Sequence, residues 1–144
     1  MTGPAGRAVG LLDTNTVILL SRLADPDVLP AEPMISAITL AELSVGPLVA
    51  RTEAERANRQ AHVQQAEADF DPLPFDAAAA RSFGRVAASL HQHGRKPAAR
   101  AYDALIAAVA IANDLPLFTV NPADFAGIDA LDVVAVPHPD TSDD

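Results

Sequence analysis

Four acids in this 144-residue chain fall where carboxylates could act together: Asp13, Glu42, Asp103 and Asp124. Each also has a plain structural explanation. Asp13 ends the apolar run Val9-Gly10-Leu11-Leu12 and precedes a helical pattern, so it suits a helix N-cap. Thr39-x-x-Glu42 reads as a capping box, with Glu42 reaching back to a free amide. Asp103 stands near the start of an apolar helix, where the dipole favours a carboxylate. Asp124 follows Asn121-Pro122, which reads as an N-cap and a first helical residue. All four explanations place an acid at a helix N-terminus. In a parallel α/β sheet those termini gather at the carboxyl edge of the strands, where ligand crevices lie.

Carboxylates gathered within a few ångströms repel and push some pKa values up, unless a cation is shared among them. Oxygen-only ligands suit Mg²⁺ or Mn²⁺ rather than zinc, since the chain has no Cys and no well-spaced His pair. His91 and His93 are two residues apart at an expected helix end and read as a solvated turn. Ions held in this way activate water and stabilise the leaving oxygen in phosphodiester hydrolysis. The bases fit a phosphate-bearing substrate. No acid occurs from Ala77 to Tyr102, while Arg81, Arg85, Arg95, Lys96 and Arg100 supply five of the ten basic residues. Arg81 and Arg85, at i and i+4, can equally be a solvated helix face. Arg95, Lys96 and Arg100 are the candidate phosphate contacts.

The elements that must position these groups follow from periodicity. Val9 to Leu12 reads as a buried strand and Thr14 to Leu23 as a helix with Val17, Leu20 and Leu23 inward. Met34 to Ala37 reads as a second strand, running into a helix over Ile38 to Val45 that Gly46-Pro47 ends. Thr52-x-x-Glu55 opens a long polar helix to about Asp69. Asp71 to Phe75 supplies a short strand. Asp76 then caps a helix with Phe83, Val86 and Leu90 inward and Gly94 past its end. Tyr102 to Asn113 is apolar nearly all round, which marks a buried helix. Leu115 to Val120 and Val133 to Val136 are the last strands. Strands apolar on both faces and alternating with helices predict a single-domain α/β/α sandwich on a mostly parallel sheet of about five strands. Residues 9–136 form the expected domain, between a flexible N-terminus at 1–8 and an acidic, disordered tail at 137–144.

Composition narrows the function further. A hydrophobic fraction of 49% and a charged fraction of 20% are those of a globular chain. No stretch free of Asp, Glu, Lys and Arg exceeds the ten residues Ala104 to Asn113, too short for a membrane span of roughly 20. The lack of Cys and of a signal-peptide pattern predicts a reducing cytoplasm. A net charge of −9 argues against a nucleic-acid coat protein, so any nucleic-acid role is local. One Tyr, five Phe and no Trp give no aromatic platform for stacking bases.

Leu11-Leu12-Asp13-Thr14-Asn15, Ile35 through Leu43, Tyr102-Asp103-x-x-Ile106-Ala107-Ala108 and Thr119-Val120-Asn121-x-x-Asp124-Phe125 together resemble the PIN domain of VapC-type toxins. The resemblance runs from about Gly10 to Val136. It implies an acidic cluster that binds Mg²⁺ or Mn²⁺ and cleaves RNA endonucleolytically, leaving 5′-phosphate and 3′-hydroxyl ends. Asp13, Glu42, Asp103 and Asp124 become the metal-binding, catalytic acids, with Asn15, Thr119 and Asn121 as polar supports. Some PIN proteins carry an acid where this chain has Asn121; here the carboxylate comes three residues later. The resemblance also implies a VapB-type antitoxin partner, a homodimer, and DNA contact only through the antitoxin, in keeping with the acidic net charge.

Two rivals and a variant stay open. A haloacid-dehalogenase-like phosphatase also begins with an Asp after the first strand, but needs a second Asp where this chain has Asn15. A receiver-like binding module clusters acids at the strand edge too, but wants a Lys at a late strand end, and the only Lys, Lys96, is in a polar loop. The variant is a catalytically silent PIN-like module.

Overall fold

The strand β1 (Val9–Leu12) is the centre of the molecule, because its last three residues are fully buried and both of its edges are paired. A computed structural model describes residues 9–23 and 25–140. In it β2 (Glu32–Met34), β3 (Leu117–Thr119) and β4 (Val133–Ala135) join β1 in the order β2-β1-β3-β4, every pair parallel. Leu11 stands opposite Met34 on one side and Leu117 on the other. Gly10 is required by close approach: a Cβ there would lie 2.5 Å from the Phe118 ring.

Alternation along the strands divides the core. Leu11 and Leu117 face a cluster with Val86 and Leu90 of α4 (Ala77–Gln92) and Ile106 to Ala110 of α5 (Ala101–Ala112). Leu12 and Phe118 face the other way, onto Val17 of α1 (Thr14–Ile18), Leu43 of α2 (Ala37–Val45), and Val63 and Ala66 of α3 (Glu53–Asp69). The result is the three-layer α/β/α sandwich expected from the sequence. α3 is capped by the Thr52 hydroxyl, which accepts from the Glu55 amide at 3.0 Å, and buries only Val63 and Ala66. Asp76 caps α4, and Gly94, with φ of +72°, lies beyond its end. Phe83 is only partly buried, whereas Val86 and Leu90 are buried.

Several boundaries differ from expectation. The sheet has four strands among the described residues, not about five. Leu73 makes a single bridge to Ser36, with its amide donating to Ile35 O at 2.9 Å and its carbonyl accepting from Ala37 N at 2.8 Å. Its neighbours Pro72 and Pro74 have no N–H with which to extend a ladder. The helix expected over Thr14 to Leu23 is α-helical only to Ile18 and continues as a 3₁₀ turn at Leu20–Arg22. Its β-branched Thr14, Thr16, Val17 and Ile18 are stiff at χ1 and poor at propagating a helix. The second strand is Glu32–Met34, because Ser36 leaves the sheet to cap α2. The third is trimmed to Leu117–Thr119: Pro116 has no amide, and the Val120 amide is taken by the Thr16 hydroxyl at 3.1 Å.

Of the tail, the Asp140 carboxylate pairs with Arg22, and its amide donates to His138 Nδ1 at 3.1 Å. Residues 1–8 and 141–144, expected to be flexible and disordered, lie outside the described residues. No helix among the described residues is long and apolar enough to cross a membrane.

Candidate active site

Parallel pairing puts the carboxyl ends of β1, β2 and β3 at one edge of the sheet. Asp13 follows β1 directly, and its buried carboxylate is held at both oxygens. Oδ1 accepts from the Thr16 amide at 3.2 Å, so that Asp13 caps α1 as the sequence predicts, and from the Thr16 hydroxyl. Oδ2 accepts from the Thr119 hydroxyl at 2.8 Å, and the Thr119 oxygen accepts in turn from the Asn121 amide at 2.9 Å. Thr119 thus bridges Asp13 and the backbone of Asn121. Burial raises the Asp13 carboxyl above the usual range, hydrogen bonds from Thr16 and Thr119 oppose the rise, and the Asp124 charge adds to it.

Glu42 is not the second half of a capping box. Ser36 is the N-cap of α2, its hydroxyl accepting from the Thr39 amide at 3.2 Å, and Glu42 lies in the second turn. Thr14 Oγ1 donates to Glu42 Oε1 at 2.6 Å and sits 3.1 Å from Thr39 Oγ1. Burial raises the Glu42 carboxyl, the Thr14 bond lowers it, and the Asp13 charge raises it further. Asp103 is in the first turn of α5, as expected. Asp124 lies in the 3₁₀ turn Pro122–Phe125, its amide donating to Asn121 O at 3.0 Å, so the expected helix start is present as one short turn without a side-chain cap.

The four acids share one electrostatic field. Burial pushes the Asp103 carboxyl up to about 6, with Asp124, Asp13 and Glu42 adding to the rise and Arg100 opposing it. Arg100 Nη1 lies 2.9 Å from Asp124 Oδ1 and 3.9 Å from Asp103 Oδ2. Glu42, Asp103, Arg100 and the 48% exposed Tyr102 line a cleft of about 170 Å³. Glu42 also borders a second hollow of about 270 Å³ beside the exposed Asn15 and the partly buried Arg59 and His62.

The other candidate bases do not join this cleft in the same way. Arg95 is half-buried with its Cδ against the turn at Gly127, and Lys96 is exposed where the turn Pro97–Arg100 begins. His91 and His93 are exposed as expected, and His93 Nε2 sits 2.9 Å from Asp129 Oδ1. Thr14, Thr16 and Tyr102 are parts of the site that residue type alone did not single out. The signal for the threonines was present, since Asp13-Thr14-Asn15-Thr16 puts two hydroxyls at the start of a helix that must begin beside an acid.

As a donor set, four mutually repelling carboxylates with no sulfur and no histidine suit a hard divalent ion. Among the described residues no three acids or histidines are arranged as they stand to hold one between them. Arg100 reaches two of the four acids.

The PIN domain family model matches residues 11–131. The chain belongs to this family, among its VapC-type members. It is 40% identical over 124 residues to Ribonuclease VapC5 of Mycobacterium tuberculosis, covering 85% of this chain and 89% of that protein. The crystal structure of the toxin–antitoxin complex VapBC-5 from M. tuberculosis superposes with a TM-score of 0.77 at 37% identity, covering 90% of this chain and 99% of that one. DNA-bound VapBC from Salmonella typhimurium gives a TM-score of 0.66 at 25% identity, with 88% and 96% covered. Family membership displaces the phosphatase-like and receiver-like alternatives.

Proposed function

We propose that this PIN-domain chain is the toxin of a toxin–antitoxin pair and acts as a divalent-metal-dependent endoribonuclease. The observation that carries the reading is the convergence of Asp13, Glu42, Asp103 and Asp124 at one sheet edge, where burial and the neighbouring acids' charges raise the carboxyls of Asp13, Glu42 and Asp103. Likeness to a VapC ribonuclease over most of both chains supports RNA as the substrate. A Mg²⁺ ion, or Mn²⁺ in its place, held by these acids would supply the charge that activates water and steadies the leaving oxygen of an RNA phosphodiester.

The chain's own residues prepare that chemistry. Thr16 and Thr119 fix both oxygens of Asp13, so this carboxylate needs no reorganisation. Thr14 orients Glu42 at the cleft wall. Arg100 is placed to meet a substrate phosphate at the rim, with Lys96 and Arg95 further back along the same segment. Asn15 and the side chain of Asn121 are polar neighbours of the acids. The expected products carry 5′-phosphate and 3′-hydroxyl ends.

A VapB-type antitoxin is the proposed partner, supported by likeness to VapBC complexes. Val45, Leu48 and Val49 are exposed at the end of α2 and in the turn after it, an apolar surface suited to a protein partner. An acidic chain binds DNA poorly by itself, so operator contact falls to the antitoxin. A homodimer in the cytoplasm completes the reading.

The test is expression without antitoxin, beside Asp103→Ala, with mapping of new RNA 5′ ends, followed by cleavage assays on purified protein. Growth arrest and discrete cuts in the parent alone, abolished by EDTA and restored by Mg²⁺, are expected. A soluble, folded parent that takes up no Mn²⁺ and cuts nothing would identify a catalytically silent PIN module.

A further inference from the structure

The acids of the cleft do not face one another bare. Arg100 ends the turn Pro97–Arg100, directly before α5, and its guanidinium spans from Asp124 to Asp103 at 2.9 and 3.9 Å. Among the described residues it is the one base in ion-pair distance of either acid. We propose that Arg100 is a built-in counter-cation of the cleft, which occupies these carboxylates in the metal-free chain and must swing out when a divalent ion enters. The inference rests on the reading of the acids as metal ligands.

Three properties fit the role. A guanidinium cannot lose its proton in a protein, so it remains a cation at every working pH. Its side chain is 46% exposed, so it can turn into water without opening the core. A half-exposed ion pair is weakly held, so an ion of twice the charge can displace it. Arg100 also directly precedes the buried helix α5, so exchange needs only side-chain rotation. Once released at the rim, the same guanidinium is free to contact a phosphate. Metal uptake and phosphate contact are then linked through one side chain.

The test is Mn²⁺ titration of the full chain by calorimetry after chelator treatment, with Arg100→Ala, Arg100→Lys and Arg81→Ala. Arg100→Ala is expected to bind Mn²⁺ about tenfold tighter, the scale of removing one competing charge a few ångströms away in a watery cleft. Arg100→Lys should fall between it and the parent, and Arg81→Ala, which removes a charge from α4, should match the parent. In EDTA the Tm of Arg100→Ala should drop below the parent's, and saturating Mn²⁺ should close the gap. The inference is overturned if the parent binds Mn²⁺ and Arg100→Ala binds equally or more weakly. It is equally overturned if Arg81→Ala tightens binding as much. No saturable Mn²⁺ uptake by the parent or by Arg100→Ala would sink the metal reading itself, and this inference with it.

Discussion

Asp13 and the Asp103–Asp124 pair lie in one field but are built on different principles. Asp13 is buried, and both of its oxygens are satisfied by hydroxyls and an amide from α1 and β3. Asp103 and Asp124 are partly exposed and are paired with the half-exposed Arg100 guanidinium rather than with buried donors. One carboxylate is oriented before anything binds. The other two keep repulsion in reserve, which a cation can relieve. The site thus combines a rigid anchor with an adjustable jaw, and the two halves should respond differently to substitution.

The largest effect should come from either acid's loss. Asp13→Asn and Asp103→Asn are each expected to lower RNA cleavage by about 10³-fold, the scale of removing a group that acts directly. Only Asp13→Asn should also lower the melting temperature in EDTA, because it sets an amide against donors that a carboxylate satisfied. Equal thermal penalties for the two variants would erase the distinction between anchor and jaw.

Thr119→Val sharpens the comparison next. It keeps the shape but leaves Asp13 Oδ2 and the Asn121 amide without their partner. A loss of about 2 kcal/mol in urea unfolding is expected, with cleavage down about tenfold. Unchanged stability would mean that the anchor is not held by this bond.

Proton linkage gives a smaller effect, centred on the jaw. Asp103 titrates near 3.8 when unfolded and is raised to about 6 in the fold. Between those values the folded chain binds more protons than the unfolded one, so stability is highest below pH 4 and is lost as pH rises through 6. Asp13 and Glu42 are raised as well and act in the same direction. Metal-free protein should therefore lose about 1–2 kcal/mol from this acid between pH 4.5 and 7, and Asp103→Asn should flatten that part of the profile. A parent profile that rises with pH over this window, relative to Asp103→Asn, would contradict the assignment. The smallest change is expected from Thr14→Val, about 0.5–1 kcal/mol by the same unfolding assay, since water can reach Glu42 in place of the lost hydroxyl.

Much of this was legible in the sequence because strands, caps and acids obey local rules. The run ending at Asp13 had to be a buried strand followed by a cap, and the apolar α5 had to be inside with Asp103 at its start. Glu42 was placed in the right helix for the wrong reason. Thr39 and Glu42 satisfy the capping-box spacing, but Ser36 takes the cap and frees Glu42 to meet Thr14 across 28 positions. Leu73 does bridge to Ser36, but the prolines on either side of it forbid the ladder that a strand over Asp71 to Phe75 needs. Arg95, Lys96 and Arg100 are close neighbours along the chain, yet the turn before α5 brings only Arg100 to the acids. Spacing along the chain does not say which base a turn will aim.

The bond from Thr119 to Asp13 joins positions 106 residues apart. Asp124 comes later still, so the four acids cannot assemble until at least 124 residues have been made. At about 5–20 residues per second, translation needs roughly 6–25 s to reach that point. A nascent chain thus lacks the assembled acidic cluster for most of its synthesis. The order of the residues sets a delay between the start of synthesis and the first moment at which the site can close.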